Sequence, residues 1–220
     1  MRAALILLAG GKGTRMKAPI LKQFFQLNGL PVALHSLKVF DQVKEIVQSV
    51  IVVDPDYQHY FPKRRCALPG VRRQDSVWNG LQALVEPVDL ICIHDAARPF
   101  ITIEMVENVL KQAELIGAAA LGMPLKFTVK ELDSQRRVKT SLNRSSLWEI
   151  QTPQAIRTAL LYQGFSIAID KNITVTDDVS LVELFDHPVQ LVSGSYRNIK
   201  LTTEEDLWVA KAFLEGKSVL

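Results

Sequence analysis

A glycine-rich segment stands directly after the first apolar run of the chain, in the stretch LLAGGKGTRM. Gly10, Gly11 and Gly13 leave the backbone uncovered, and Arg15 adds a guanidinium. Lys22 follows as a mobile point charge. Glycines let backbone N–H groups approach phosphate oxygens closely, and a guanidinium grips them with its planar fork. This combination indicates an anionic ligand, with phosphate groups as the first candidates.

The distribution of charge supports an anion site. No acidic residue precedes Asp41, whereas the same segment carries these basic residues: Arg2, Lys12, Arg15, Lys17, Lys22 and Lys38. Chance combined with an ordinary solvated face is the alternative explanation. The net charge of +3 is too small to indicate a nucleic-acid partner or a membrane surface by itself.

Two familiar phosphate-binding motifs do not fit this segment. The P-loop needs GxxxxGK followed by Ser or Thr, and that spacing is absent. The dinucleotide fingerprint GxGxxG begins at Gly11 and Gly13, but Met16 stands in place of its third glycine. The acidic residue expected about twenty residues later is also missing. A P-loop kinase and an NAD-dependent dehydrogenase are therefore disfavoured.

Apolar runs of strand length alternate with amphipathic helical segments. The predicted strands are Ala3–Leu8, Val50–Val53, Leu90–Ile93, Ala118–Met123 and Val189–Val192. Three helices are predicted by range: Val32–Phe40, Thr158–Ile169 and Asp178–Phe185. Two more are predicted from helical spacing of apolar residues: Val77, Leu81, Leu84 and Val85 in one, and Val106, Val109, Leu110 and Ala113 in the other. A last helix begins with a capping box of Thr202 and Glu205. This rhythm predicts a single α/β domain over residues 1–220, with a Rossmann-like, mainly parallel sheet flanked by helices. The glycine segment then lies at the carboxyl edge, where open α/β sheets bind ligands.

The region from about 125 to 152 breaks this rhythm. It is polar and strand-prone, and Asp133 and Ser134 suit a hairpin turn. It has too few apolar residues for a core of its own, yet these need cover: Val129, Leu132, Val138, Leu142, Leu147 and Trp148. We therefore predict a projecting β-arm that packs against a second copy of the chain; a disordered insert is the alternative.

The cysteines and the apolar segments indicate the compartment. Cys66 and Cys92 have neither metal-ligand nor disulfide-framework spacing, which favours a reducing environment. The N-terminal apolar run is too short for a signal peptide and lacks a cleavage site, and no stretch is long enough to span a bilayer. We expect a cytoplasmic protein without a membrane or nucleic-acid partner.

Motifs along the whole chain resemble one enzyme family. AGGKGTRM followed by KQ is similar to the N-terminal signature of sugar-nucleotide-type nucleotidyltransferases, which is widely shared. The more specific motifs, in chain order, are DSVWNGL, HDAARP, FTVK, NRSSLW, TPQ, TDD and NIKLT. Together they resemble the 2-C-methyl-D-erythritol 4-phosphate cytidylyltransferase family of the non-mevalonate isoprenoid pathway. The resemblance implies that a substrate phosphate oxygen attacks the α-phosphorus of CTP and that pyrophosphate leaves.

The resemblance also implies four catalytic residues. Arg15 and Lys22 would stabilise the pentacovalent transition state, and Lys200 would neutralise and orient both phosphates. Arg144 lies on the arm and would complete the polyol-phosphate pocket of the partner subunit in a homodimer. Because two anions must meet, catalysis would consist mostly of positioning and electrostatic stabilisation.

The remaining site residues follow from the same resemblance. Ala9, Gly10, Gly11 and Gly13 would contact the triphosphate and the base edge, and Gly70 and Ser76 would belong to the loop that contacts cytosine. Asp95, in the segment with Ala96, would contact the ribose or lie near Mg²⁺, and Arg98 would contact the substrate phosphate or the polyol. Thr128 and, more weakly, Thr152 would line the acceptor pocket. Mg²⁺ is the expected cofactor, and it would bridge CTP phosphates with few protein ligands. His94 is interpreted as a structural histidine.

Two departures from the family pattern affect the centre of the site. Leu21 precedes Lys22 where the family carries proline, which predicts a looser Lys22. Val71 follows Gly70 where the family shows glycine or an acid. Two alternative functions remain open at this point: a cytidylyltransferase for another polyol phosphate, such as ribitol 5-phosphate, and a non-catalytic nucleotide-binding protein of the same fold.

Overall fold

The structure is a computed structural model that describes residues 1–11 and 21–215. Its strands are β1 (Ala3–Leu8), β2 (Gln26–Leu27), β3 (Leu30–Pro31), β4 (Ile46–Val52), β5 (Arg65–Ala67), β6 (Leu90–Asp95), β7 (Ala118–Pro124), β8 (Lys130–Leu132), β9 (Val138–Ser141), β10 (Trp148–Arg157) and β11 (Gln190–Ser193). Its α-helices are α1 (Val32–Phe40), α2 (Arg73–Gln82), α3 (Ile103–Ile116), α4 (Thr158–Asp170), α5 (Ser180–Glu183) and α6 (Glu204–Leu214). Short 3₁₀ turns occupy Lys22–Phe24, Pro55–Tyr60 and Arg144–Ser146.

Seven strands form the central sheet, in the order β11-β7-β10-β6-β1-β4-β5. The pairs made by β1, β4, β5 and β6 are parallel, as is the pair of β11 with β7. Strand β10 runs antiparallel between β6 and β7. The mainly parallel α/β sheet predicted from the alternating apolar runs is confirmed.

Helices cover both faces of this sheet, because its central strands are apolar on both sides. Alternate residues of β1 show the two faces: Leu5 and Leu7 pack with α1 and α3, whereas Ile6 packs with α2, α4 and α5. Each face is therefore a separate apolar layer, and the carboxyl ends of the strands stay uncovered between them.

Three helix boundaries differ from the prediction. Helix α2 begins at Arg73 and ends at Gln82, so Val85 is exposed and its assignment to the buried face was wrong. Helix α5 is shorter than predicted. The C-terminal capping box consists of Thr203 and Asp206, one residue later than predicted, because Asp206 accepts the Thr203 N–H at 2.9 Å.

The predicted arm forms a short antiparallel hairpin of β8 and β9. The Asp133 carboxylate accepts the Gln135 and Arg137 N–H groups at the turn, each at 2.9 Å. Apolar side chains of the arm remain exposed in the single chain, including Phe127 at 74% and Val138 at 60%. The last residues of the predicted region belong instead to β10 in the central sheet.

Among the described residues, no helix combines the length and apolar character required to cross a membrane.

Candidate functional site

A cavity of about 740 Å³ opens at the carboxyl edge of the parallel strands. This volume suits a nucleotide-sized ligand. The predicted site residues that line it are Gly10, Gly11, Lys22, Gly70, Ser76, Asp95 and Lys200. Residues from five separate parts of the sequence thus converge on one cavity, as their placement after strands requires.

A buried glutamine holds the start of the glycine segment where it leaves β1. The Gln23 side-chain amide donates to the Ala9 carbonyl at 2.6 Å and to the Gly11 carbonyl at 3.1 Å. Ala9 is itself buried and its N–H donates to Val52 O at 2.8 Å. Gln23 therefore ties the start of the glycine segment to the chain that carries Lys22.

Leu21 adopts a backbone conformation that suits the proline expected at this position from the resemblance. Its φ of −63° is close to the value that a proline ring imposes. Its side chain packs against the core, and Phe24 stacks on Tyr57 and Tyr60 at centroid distances of 4.4 and 4.8 Å. Packing thus restrains the backbone next to Lys22, so the structure gives no support to a loosened lysine.

The loop around Gly70 is held against the first turn of α2. The Gly70 N–H donates to the Ser76 hydroxyl at 2.9 Å, and the Arg72 N–H donates to the Asp75 carboxylate at 2.9 Å. Arg72, rather than Asp75 or Ser76, is the N-cap residue. Val71 is fully exposed at the rim of the cavity. Ser76 shapes this loop directly, whatever it contacts in a ligand.

A methyl group at Gly70 would not fit. An added Cβ would meet the Asp75 Cβ at 2.3 Å and the Ser76 nitrogen at 2.9 Å. We therefore expect Gly70→Ala to displace the loop and raise KM for CTP, the nucleotide that the resemblance implies, at least about ten-fold, since small misplacements of binding groups carry large costs. Initial-rate kinetics measure this effect. An unchanged KM at an unchanged melting temperature would show that the loop does not contact the nucleotide.

Asp95 stands at the centre of a cluster of cations. Its Oδ2 lies 2.7 Å from Lys200 Nζ and 3.7 Å from Arg98 Nε, and its Oδ1 lies 3.3 Å from Arg73 Nε. Burial alone would raise the pKa of Asp95, but the charges of Arg73, Lys200 and Arg98 outweigh it and hold the pKa well below its usual range. Asp95 is therefore a carboxylate, and it gathers positive charge at the strand ends.

A buried histidine and threonine support Asp95 from behind. His94 Nε2 lies 3.1 Å from the Arg98 carbonyl, which only accepts, so this nitrogen carries the proton. The Thr152 hydroxyl then donates to His94 Nδ1 and accepts the Asp95 N–H, both at 3.1 Å. Burial lowers the pKa of His94 to about 4, which keeps the ring neutral. This agrees with a structural His94 and leaves the Thr152 hydroxyl engaged inside the protein.

Arg98 and Asn198 fix the backbone that carries Lys200. Arg98 donates to the Asn198 carbonyl at 2.7 Å, and the buried Asn198 amide donates to the Thr152 carbonyl at 3.0 Å. The neighbouring Ala96 is fully buried and its N–H donates to Leu8 O. Ala96 and Arg98 thus shape the edge of the cavity from within and do not line it.

The other predicted site residues lie elsewhere. Thr128 and Arg144 are exposed on the arm, outside the residues that line the cavity. Arg144 donates to the Lys126 carbonyl at 3.0 Å. Gly13 and Arg15 lie outside the described residues.

Three residues at the site were not predicted as site residues from sequence: Gln23, Arg73 and Asp178. Gln23 was visible as part of the KQ pair, but its two carbonyl partners were not. Arg73 forms a bidentate ion pair with the buried Asp178, at 2.7 and 2.8 Å. Burial would lower the pKa of Arg73, but the charges of Asp178 and Asp95 outweigh it and raise the pKa above its ordinary value.

The residues of the site do not fit a metal ion held by the protein. Within residues 1–11 and 21–215, no three His, Cys, Asp or Glu side chains form a group that could hold one. Asp95 already faces Lys200, Arg73 and Arg98. Its carboxylate serves to hold cations of the protein itself.

Fold and site together define the class of protein. A mainly parallel sheet with a glycine-lined, cation-rich cavity at its carboxyl edge is typical of α/β proteins that bind nucleotides.

Comparisons with known proteins identify the family within this class. The family described as 2-C-methyl-D-erythritol 4-phosphate cytidylyltransferase (IspD) matches residues 3–216. The chain is 47% identical to the chloroplastic enzyme of that name from Oryza sativa subsp. japonica, over 97% of this chain and 75% of the relative. It is 42% identical to the enzyme of that name from Chlamydia pneumoniae, over 97% of this chain and the whole relative. The chain therefore belongs to the 2-C-methyl-D-erythritol 4-phosphate cytidylyltransferase family.

Solved structures agree with this assignment. The crystal structure of 4-diphosphocytidyl-2C-methyl-D-erythritol synthase from Anaerococcus prevotii matches with a TM-score of 0.86 at 30% identity. The match covers 97% of this chain and 98% of that one. The family predicted from the motifs is confirmed over nearly the whole length.

Proposed function

We propose that this chain joins CTP and 2-C-methyl-D-erythritol 4-phosphate, giving 4-diphosphocytidyl-2-C-methyl-D-erythritol and pyrophosphate in the non-mevalonate pathway to isoprenoid precursors. The observation that carries the proposal is the convergence of Lys22, Lys200 and the glycine edge on one cavity, in a chain of this family. A non-catalytic nucleotide-binding protein has no need for cations held where two phosphates must meet.

The reaction needs no covalent intermediate. An oxygen of the polyol phosphate attacks the α-phosphorus of CTP and forms a new P–O bond. The bond from that phosphorus to the bridging oxygen breaks, and its electron pair leaves with pyrophosphate. Because the attacking phosphate oxygen carries no proton at neutral pH, no general base is required. The protein has to bring two anions together and stabilise the charge that moves to the leaving group.

Lys22 and Lys200 supply this stabilisation in our proposal. Both line the cavity, and Lys200 is held 2.7 Å from Asp95, so its ammonium is directed before the substrates arrive. We propose that Lys22 and Arg15 stabilise the pentacovalent transition state, and that Lys200 bridges the reacting phosphates. Ala9, Gly10, Gly11 and Gly13 would offer backbone to the triphosphate.

Mg²⁺ enters this proposal as a companion of the substrate. No cluster of three potential metal ligands occurs among the described residues, so the CTP phosphates and water would supply most of its ligands. Asp95 would then lie near the ribose or the ion, and it would act through the cations that it holds in place.

Base selection belongs to the other end of the cavity. Gly70 and Ser76 are joined by a hydrogen bond of 2.9 Å, and both residues line the cavity. We propose that this loop recognises cytosine.

The arm completes the acceptor site in our proposal. Thr128 and Arg144 are exposed and lie outside the residues that line the cavity, and the exposed apolar side chains of the arm need cover. In a homodimer, these two residues would reach the polyol-phosphate pocket of the partner subunit. Dimerisation would then be a requirement of the chemistry as well as of stability.

A panel of acceptors tests the proposed function. Pyrophosphate release is measured with CTP and Mg²⁺ in the presence of 2-C-methyl-D-erythritol 4-phosphate or ribitol 5-phosphate. We expect turnover with the first acceptor only. Turnover restricted to ribitol 5-phosphate would replace the acceptor but keep the class of reaction. Binding of CTP without turnover for either would overturn the enzymatic proposal.

Hybrid dimers test the shared acceptor site. Arg144→Ala and Lys200→Met subunits are each expected to have low activity alone. Mixing them should restore activity to about a quarter of the parent value, since one site of a hybrid dimer then has both residues intact. Subunit exchange is checked with a mass-tagged copy. Exchange without recovery would show that Arg144 acts within its own chain.

We further propose a cytoplasmic location for this chain. Cys66 and Cys92 are both free thiols, as suits a reducing compartment. The relative from rice is described as chloroplastic.

A further inference from the structure

Arg73 lies between two carboxylates that come from distant parts of the chain. Its Nη1 and Nη2 donate to both oxygens of Asp178, and its Nε donates to Oδ1 of Asp95 at 3.3 Å. Asp178 and Asp95 are nearly fully buried. The five N–H donors of a guanidinium lie in one plane, so such a bridge holds both carboxylates at a defined angle.

The residues on either side of this bridge are anchored independently. Asp178 and Val179 both donate their N–H groups to Gln154 Oε1, at 2.8 and 2.9 Å. Gln74 accepts the Val175 N–H at 2.9 Å and donates to the Ile173 carbonyl at 3.0 Å. Strand β10 and helix α2 thus clamp the segment that carries Asp178, which leaves its carboxylate little freedom.

The two oxygens of Asp95 have different partners. Oδ1 faces Arg73, whereas Oδ2 faces Lys200 at 2.7 Å. Rotation of this carboxylate about its Cβ–Cγ bond would move Oδ2 and take the Lys200 ammonium with it. The contact with Arg73 opposes that rotation. The position of the lysine in the cavity is therefore coupled to a guanidinium that also grips Asp178.

We propose that Arg73 is a positioning residue, which fixes the rotation of the Asp95 carboxylate and through it the Lys200 ammonium, while Asp178 holds the guanidinium in place. The inference deepens the proposed function and rests on it. Arg73 acts through Asp95 and needs no contact with the reacting phosphates.

A double variant separates this role from a purely structural one. Arg73→Gln alone leaves Asp178 buried without its cation, which destabilises the fold. Arg73→Gln combined with Asp178→Asn removes both charges together and leaves two amides that still fit the space. We expect the melting temperature of the double variant to be close to that of the parent. Its kcat/KM for CTP should nevertheless be about 10- to 100-fold lower, because Asp95 still lacks the N–H donor that Arg73 supplied.

Three further variants sharpen the test. Arg73→Lys keeps the charge but cannot reach both carboxylates with one ammonium, so we expect it to regain stability without regaining kcat/KM. Asp178→Asn should lose activity in the same direction as Arg73→Gln. Arg64→Gln is the matched control, since Arg64 forms a 2.7 Å ion pair with Asp41 outside the cavity; its turnover should equal that of the parent.

Competition by cytidine shows which end of the cavity is affected. Arg73 stands on the same helix turn as Ser76, so its loss could also loosen the cytosine loop. Cytidine carries no phosphate and reports on that loop alone. We expect its inhibition constant to stay unchanged in the double variant, since the effect passes through Asp95 and Lys200. If cytidine inhibited the double variant correspondingly more weakly, Arg73 would belong to the base loop and the proposal would be overturned.

The remaining outcomes are equally distinct. A double variant or Arg73→Lys with parent kcat/KM would show that the ion pair is only structural, and the inference would fail. A parent enzyme that releases no pyrophosphate from CTP and either acceptor would instead overturn the proposed function. The two failures are therefore distinguishable within one set of assays.

Discussion

Replacing Lys200 by methionine is expected to reduce kcat about 100- to 1,000-fold, which is the usual cost of removing one preorganised charge from a transition state. Lys200 lines the cavity and lies 2.7 Å from Asp95. In our proposal its charge is needed most when negative charge moves to the departing pyrophosphate. CTP binding should weaken much less than turnover, because binding uses several cations and the backbone of the glycine segment.

Single-turnover kinetics and calorimetric titration with CTP measure the two effects separately. Lys211→Met is the matched control, because Lys211 is exposed in the last turn of α6, away from the cavity. Arg73 and Arg98 still face Asp95 in the Lys200 variant, so the fold should persist. A Lys200→Met enzyme that turns over within a few-fold of the parent would remove this lysine from the mechanism.

Replacing Gln23 by leucine is expected to lower both stability and activity. The side-chain amide is buried and donates to the Ala9 and Gly11 carbonyls. Leucine has a similar volume but no donor, so both carbonyls lose a hydrogen bond at a cost of about 1–3 kcal/mol. Because the same side chain ties the glycine segment to the chain at Lys22, kcat/KM for CTP should fall at least about ten-fold.

Urea unfolding and initial rates in the same buffer check this prediction. Gln42→Leu is the control: Gln42 donates to the Lys38 carbonyl at 2.8 Å on the exposed end of α1. Loss of that surface contact should change stability by less than about 0.5 kcal/mol. If Gln23→Leu lost stability but kept full kcat/KM, the glutamine would stabilise the fold without organising the site.

The sheet was predictable where strands are buried on both faces. Ala3–Leu8 was predicted with its observed bounds because every residue is apolar and two glycines follow after Ala9. Strand β10 was not predicted, because its first residues, Trp148–Thr152, were assigned to the arm and Pro153 usually argues against a central strand. The structure accommodates this residue where the register of β10 against β7 shifts, between Ile150 and Gln154.

The site was predictable where motifs follow strands, and unpredictable where partners meet across the fold. Asp95 and Lys200 stand in recognisable motifs, and the structure brings them together. Arg73 has no local signal of its role, since its two carboxylates lie 22 and 105 residues away along the chain. Our proposal places Thr128 and Arg144 in the pocket of a second subunit, so a single chain provides no test of their contacts.

The direction of β10 determines where the arm emerges. A parallel strand such as β7 ends at the carboxyl edge, and an antiparallel neighbour must begin there. The residues between Pro124 and Trp148 therefore leave the sheet at the same carboxyl edge as the cavity. Under the proposed function, changes in their length or composition would alter the contacts with the acceptor, while the seven strands keep their register. Under the same proposal, acceptor choice can change without any change to the residues that line the nucleotide cavity.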